Sequence, residues 1–364
     1  MNVAIRVDAS EKIGVGHLAR CKKLADRLAE NGCKVMFISR DLGGPFLEEV
    51  RQSQYELIVL PAPSAMDSCE AERNPGSHGS WLETSWKLDA CQTVAALEEH
   101  PDLDWLVVDH YGIDGNWHRE VKRSAPQIFV IDDLADRTFE CDLLLNQSHW
   151  GSTTGLYQNL VPSKCVVLIG PEHTILARHA HKIRDINRND KVSRILVSFG
   201  GADYNNLSAE AMEVLHIVLP PTVEVDLVVG EGNPHLEELR AYSRRQNTTV
   251  HTNVKDLTPL IINADLGVGA GGVTSIERAY FRLPSLVKVA SYNQIHTLYE
   301  MNRNGTVRLY EEPPELEHLV KEMLSSGPFI VPEVVQDGSD HIVEIMLRRT
   351  DRTHGNRDVA TTYL

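Results

Sequence analysis

Alternation constrains this chain more than any single motif. Short runs rich in Val, Ile and Leu are separated by stretches of helical length, almost from the first residue. A strand buried on both faces of a parallel sheet is apolar at nearly every position, so this rhythm predicts parallel sheets wound with helices. In the first half the strands fall at Val3–Val7, Lys34–Ser39, Glu56–Leu60, Trp105–Asp109, Ile128–Asp132 and Asp142–Asn146. Helices fall between them at Leu18–Ala29, Pro45–Ser53, Lys87–His100 and Gly115–Ser124. Pro61–Ser80 breaks the rhythm with prolines, glycines and polar residues, and reads as a long loop.

The second half repeats the pattern. Strands are predicted at Arg194–Ser198, Val223–Val229, Thr249–Thr252, Leu266–Gly269 and Ser285–Val289. Helices are predicted at Asn206–Val218, Pro234–Arg245, Leu257–Asn263, Ser275–Phe281 and Gln294–Asn304. A chain of 364 residues exceeds what one core commonly holds. The expected organisation is therefore α/β, with two doubly wound Rossmann-like domains facing across a cleft at the carboxyl ends of their strands. The domains span 1–175 and 193–312, joined by a linker at 176–192. Pro313–Ser325 and His341–Arg349 serve as closing helices within 313–350, and 351–364 lacks apolar periodicity and is expected to be a disordered tail.

A formal charge of −15 argues against nucleic acid or an anionic membrane as partner, because both require a basic face. No stretch approaches the roughly 20 apolar residues that span a bilayer. Arg6 and Asp8 stand where a secretory apolar core would lie. The six cysteines form no Cys-x-x-Cys pair, and reduced thiols in a cytoplasmic protein are expected.

Two glycine turns are the candidate sites. Gly14-Val-Gly-His-Leu-Ala19 leaves the first strand and enters the first helix, with Gly14 and Gly16 around His17. Such a turn lets a ligand approach bare backbone beside helix-start N–H groups, and His17 can take a proton near neutral pH. A solvated histidine in a tight turn is the plainer alternative. Gly269-Ala-Gly-Gly-Val-Thr-Ser-Ile-Glu277 follows a strand in the same way. Gly271, Gly272, Thr274 and Ser275 would cradle a phosphate, and Glu277 would accept from a ribose diol. Here the plainer alternative is glycine-eased packing of a helix on a strand. Asn293 and Gln294, Asp203, Asp109 to Tyr111, and Asp132 with Asp133 also end strands. Each alone is more often a turn residue.

No metal-ligand spacing is present beyond His179-x-His181, and no Gly-x-Ser-x-Gly elbow occurs. The first turn satisfies Gly-x-Gly-x-x-Ala, a dinucleotide fingerprint, with Asp41 downstream. A pyrophosphate would meet the bulk of His17 in that turn, so neither a nicotinamide nor any other cofactor is expected.

The motifs together resemble a known family. Arg6-Val-Asp-Ala-Ser10 with Ile13-Gly-Val-Gly-His17, His78-Gly-Ser-Trp-Leu82, Val108-Asp-His-Tyr-Gly112, Ile131-Asp-Asp-Leu-Ala-Asp-Arg137, Ser198-Phe-Gly-Gly-Ala-Asp203 and Gly271-Gly-Val-Thr-Ser-Ile-Glu277 carry it. The chain resembles the UDP-2,4-diacetamido-2,4,6-trideoxy-β-L-altropyranose hydrolases of pseudaminic acid biosynthesis, with spore-coat polysaccharide proteins as further relatives. The resemblance implies the two-domain fold of glycosyltransferase B type, with water in place of a sugar acceptor. It implies His17 as general base and Tyr111 at the sugar. Gly271–Glu277 would hold UDP, with Asp8, Gly14, Gly16, Arg178, Asn293 and Gln294 completing the substrate site. One stretch departs from the family. Gly170-Pro-Glu-His-Thr-Ile-Leu-Ala177 ends on alanine where the family has arginine, Arg178 follows one place later, and His173 replaces a tyrosine. A UDP-sugar glycosyltransferase and a non-catalytic sugar-nucleotide binding protein remain the alternatives, and the oligomeric state stays open.

Overall fold

The computed structural model describes residues 1–67, 78–177, 180, 186, 188–201, 203–244, 247–252 and 254–360, with backbone alone at 293 and 352–360. It divides into two units: Met1–Gln147, Ser152–Arg178 and Asp337–Leu364 form one, Ser148–Gly151 and His179–Gln336 the other.

The first unit holds strands β1 (Asn2–Val7), β2 (Lys34–Arg40), β3 (Glu56–Leu60), β4 (Trp105–Asp109), β5 (Gln127–Ile131), β6 (Leu143–Asn146) and β7 (Val166–Ile169). They form one sheet in the order β3-β2-β1-β4-β5-β6-β7, with parallel pairing throughout. The order reverses between β1 and β4, where Val7 is paired with Asp109. Such a reversal point leaves a crevice at the carboxyl ends of the two strands. Apolar cores lie on both faces of the sheet, one around Leu24, Leu28 and Phe37, the other around Leu106, Trp117 and Val130.

The second unit holds β8 (Arg194–Ser198), β9 (Glu224–Val229), β10 (Thr248–Thr252), β11 (Leu266–Ala270), β12 (Ser285–Lys288) and β13 (Arg308–Leu309). Its order is β10-β9-β8-β11-β12-β13, and its pairs too are parallel. Here the reversal lies between β8 and β11, where Ser198 pairs with Gly269.

Several expectations need correction. The sheets gain β7 and β13 as edge strands of four and two residues, too short to stand out as runs. Pro45–Ser53 contains a helix only at Glu48–Arg51. Gly43 and Gly44 take left-handed φ of +76° and +74°, which delays its start. The two closing helices do not work together. Pro313–Ser326 packs Leu316, Val320 and Met323 into the second unit's core. Ser339–Ala360 belongs to the first unit, where Ile342, Val343 and Met346 join the core beside the helix Gly16–Glu30. Its anchors are polar as well: Trp105 Nε1 donates to the Met346 carbonyl at 3.2 Å and to Thr350 Oγ1 at 3.0 Å. Arg27 binds Asp337 and Asp340 at 2.9 and 2.8 Å. The helical backbone runs to Ala360.

Candidate functional site

The turn after β1 is built to aim one imidazole. Gly14 takes φ +78° and its N–H donates to the Ser10 carbonyl at 2.7 Å, closing a loop that a side chain would strain. The helix Gly16–Glu30 then begins without a side-chain cap and with no acidic residue in its first turn. Its unpaired N–H groups leave the positive end of the helix uncompensated. His17 is the second residue of that helix and is only 8% exposed.

The carboxyl end of β4 supplies its partner. His17 Nδ1 lies 2.6 Å from Asp109 Oδ1. Arg20, one helical turn on, donates Nε to Asp109 Oδ2 at 2.6 Å and Nη2 to Oδ1 at 2.8 Å. Its Nη1 reaches Asp133 Oδ2 at 2.7 Å, and the Tyr111 hydroxyl donates to the same oxygen at 2.5 Å. Burial alone would raise the Asp109 carboxyl. Arg20, and then His17, outweigh it and hold the group well below the ordinary carboxylate range. Asp109 is thus an anion that can only accept. Although Arg20 Nη2 also lies 3.3 Å from Nδ1, the shorter contact to a pure acceptor places the proton on Nδ1. The lone pair of His17 is then on Nε2. The carboxylate thus fixes the tautomer and orientation of the ring.

Rings surround this imidazole. Tyr111 meets His17 edge to face at 4.5 Å between centroids, and Trp81 stacks on Tyr111 at 5.4 Å. His78 lies edge-on to Trp81 at 4.6 Å. Lys12 Nζ ties this loop back to the first turn through the Ser80 carbonyl at 3.1 Å. Burial raises the Tyr111 phenol well above its usual range, with Asp133 adding to the effect, so it remains a neutral donor.

Asp8 is a correction. It is completely buried, and its carboxylate accepts from Arg6 at 2.5 and 2.9 Å and from the Arg40 N–H at 2.7 Å. Arg6 and Arg40 also share Asp89, each at 2.7 Å. A carboxylate spent in this way supports strand ends and has nothing left for a substrate. Asp109, which ends its strand in the same way, is the partner of His17.

In the second unit the turn after β11 has the same plan. Gly272 precedes the helix Val273–Tyr280, which has no side-chain cap and no acid in its first turn. The two glycines differ, however. A Cβ on Gly271 would collide with the Leu298 side chain at 2.3 Å, so packing accounts for it, whereas a Cβ on Gly272 would meet nothing within 4 Å. Thr274 and Glu277 are half-buried on this helix. Ser275 is fully buried and donates Oγ to the Gly272 carbonyl at 2.7 Å, which makes it part of the turn. Gln294 Oε1 accepts from the Ala290 N–H at 3.1 Å, and Asn293 lies in the short helix Tyr292–Gln294. Arg178 and the pair His179 and His181 fall outside the described residues. Among the described residues no group of three or more His, Cys, Asp or Glu is placed to hold a metal ion. None of the described helices is long and apolar enough to cross a membrane.

Sequence reasoning missed Arg20 and Trp81 beside His17 and weighed Asp133 only as a strand-end residue. Arg20 follows His17 by three positions on a helix that opens on the glycine turn, a spacing that puts both on one face and could have flagged it.

No family model matches the chain. It is similar to the UDP-2,4-diacetamido-2,4,6-trideoxy-beta-L-altropyranose hydrolase of Campylobacter jejuni, with 25% identity over 68% of this chain and 76% of that protein. It is also similar to the spore coat polysaccharide biosynthesis protein SpsG of Bacillus subtilis, at 22% identity over 79% and 77% of the two chains. Among solved structures it resembles MurG of Acinetobacter baumannii, with a TM-score of 0.60, 13% identity and coverage of 96% and 100%. A UGT transferase from Siraitia grosvenorii in complex with UDP gives a TM-score of 0.58 at 12% identity, covering 96% and 95%. With two all-parallel α/β units and these neighbours, the fold is of the glycosyltransferase B type.

Proposed function

We propose that the protein hydrolyses a UDP-linked 2,4-diacetamido-2,4,6-trideoxy sugar, releasing UDP and the free sugar with inversion, as a step towards a nonulosonic acid of the pseudaminic type. His17 Nε2 takes a proton from water as its oxygen bonds to the anomeric carbon. The bond from that carbon to the diphosphate oxygen breaks, through a state with oxocarbenium character. The electron pair leaves with UDP, already a good leaving group, and the helix start after Gly272 stabilises the departing charge. Glu277 accepts from the ribose.

The observation that carries this reading is the short contact of His17 Nδ1 with Asp109 at 2.6 Å, which leaves Nε2 as the basic nitrogen. Support comes from the Campylobacter relative, which is named as such a hydrolase, and from a fold neighbour that binds UDP. The test is incubation with UDP-diacetamido-trideoxy sugars and no acceptor, followed by NMR of the anomeric proton. Stoichiometric free sugar with inverted configuration is expected. Turnover that appears only when a sugar acceptor is added would make the protein a transferase.

A further inference from the structure

One buried arginine in the second unit has no hydrogen-bonded carboxylate among the described residues; Glu277 beside it acts only through space. The buried arginines Arg6, Arg20, Arg27, Arg40 and Arg137 each contact at least one aspartate within 2.9 Å. Arg278 is fully buried and has no such carboxylate among the described residues. Its Nη2 donates to the Ala270 carbonyl at 2.8 Å, while Nε and Nη1 have no hydrogen-bond partner there. The hydroxyl of neighbouring Tyr310 is also unpartnered. Burial lowers the guanidinium only to about 10, so it is a cation at neutral pH.

The chain makes room for this group. A Cβ on Gly267 would meet Ser285 Oγ at 2.7 Å and Arg278 Cδ at 3.1 Å, and one on Gly269 would meet the Ser198 carbonyl oxygen at 2.0 Å and Arg278 Nη1 at 2.6 Å. These two glycines share one face of β11 and weaken a central strand, since glycine costs entropy and packs nothing. Helical side chains lean towards the N-terminus of their helix. Arg278 therefore runs under β11 and ends beneath the Ala270–Gly272 turn, where the same helix presents its unpaired N–H groups and Gly272 has space above it. A buried cation without an anion is unfavourable in the unliganded protein.

We propose that Arg278 is the buried counter-charge for the diphosphate of the bound nucleotide, a positioning residue that adds to the field of the helix start. The proposal rests on the UDP reading above and adds to it a charge that the glycine motif alone does not contain.

Calorimetry with UDP and with inorganic pyrophosphate tests it. Arg278→Met keeps the length of the stem and removes the charge. It is expected to bind both probes about ten- to a hundredfold more weakly, the range of a lost charge-assisted interaction. Without ligand it should melt at or above the parent temperature, which a merely structural arginine would not allow. If Arg278→Met does not fold, Arg278→Lys and Arg278→Gln decide: the lysine variant should bind UDP within a few-fold of the parent, and the glutamine variant should not. UDP affinity unchanged in the methionine or glutamine variant overturns the proposal and leaves the nucleotide reading standing. A parent that binds pyrophosphate but not UDP, with the Arg278→Met protein binding neither, retains Arg278 and removes the nucleotide. A parent that binds neither probe overturns both.

Discussion

The two strand-order reversals make a controlled comparison within one chain. Each joins a central strand to a glycine turn and a helix start without a cap. At the β1–β4 reversal every charge is answered from within: Arg20 by Asp109 and Asp133, Arg6 and Arg40 by Asp8 and Asp89. At the β8–β11 reversal Arg278 is hydrogen-bonded to a carbonyl and, among the described residues, to no carboxylate, with Glu277 acting on it only through space. The difference is what the two proposed tasks would require. A proton-accepting group must stand in one tautomer and one direction before substrate arrives, and fixed ions achieve that. An anion site works best when its positive charge is not already neutralised.

The strongest way to break this comparison is to change the pre-set group. A positioned base contributes roughly 10²–10⁴-fold, or about 2.7–5.4 kcal/mol of barrier. His17→Asn is expected to lose kcat by that order while UDP affinity changes little, because the nucleotide contacts proposed lie in the other unit. Wild-type turnover in a folded His17→Asn protein would end the general-base role.

Asp109→Asn comes next. The amide can donate as well as accept and no longer dictates Nδ1–H, so the ring can present the wrong tautomer. A kcat loss of roughly 10²–10³-fold is expected, the lower part of the range for a positioned base. UDP affinity should not move. Loss of nucleotide binding in step with kcat would show that Asp109 holds up the fold and not the tautomer.

The parts of this arrangement that were legible in the sequence are those encoded locally. Apolar runs announced the strands, and glycine with a following helix announced both turns and His17. The ion network was not legible, because its members come from elements far apart in the chain: Arg20 and Asp109 are 89 positions apart, Arg20 and Asp133 are 113. Asp8 illustrates the cost of reading strand ends alone. It ends its strand as Asp109 does, yet its carboxylate faces arginines on its own and the neighbouring strand. Arg278 reads as an ordinary helix residue. The return of Ser339–Ala360 to the first unit is likewise a tertiary fact.

A smaller effect is expected in the other unit. Glu277→Ala removes one proposed charge-assisted acceptor to the ribose and should weaken UDP by about 1.5–3 kcal/mol. Inorganic pyrophosphate binding, which lacks the ribose, should not change. If both ligands weaken alike, Glu277 acts on the turn itself and the division between ribose and diphosphate contacts is wrong.

The smallest predicted effect concerns acid. Full burial in the helix Gly115–Val121 lowers His118 to about 3, helped by Arg137, Lys122 and Arg119. Below the ordinary histidine range the unfolded chain binds a proton that the folded first unit refuses, so folding stability must fall as pH drops from about 6.5 towards 3. The slope is at most about 1.4 kcal/mol per pH unit. Burial would raise Asp109 and Asp133, but Arg20 holds both below their usual range. Their stabilisation persists above about pH 4 and is lost only beneath it, so the two contributions separate along the pH axis. Four of the five tryptophans, Trp81, Trp86, Trp105 and Trp117, belong to the first unit, which makes fluorescence mainly a report on that unit. Urea unfolding followed by fluorescence at about pH 6 and about pH 5 should show the slope in the parent and a shallower one in His118→Gln. Equal slopes in the two proteins would mean that another group carries the acid sensitivity, and that His118 is not held neutral by burial.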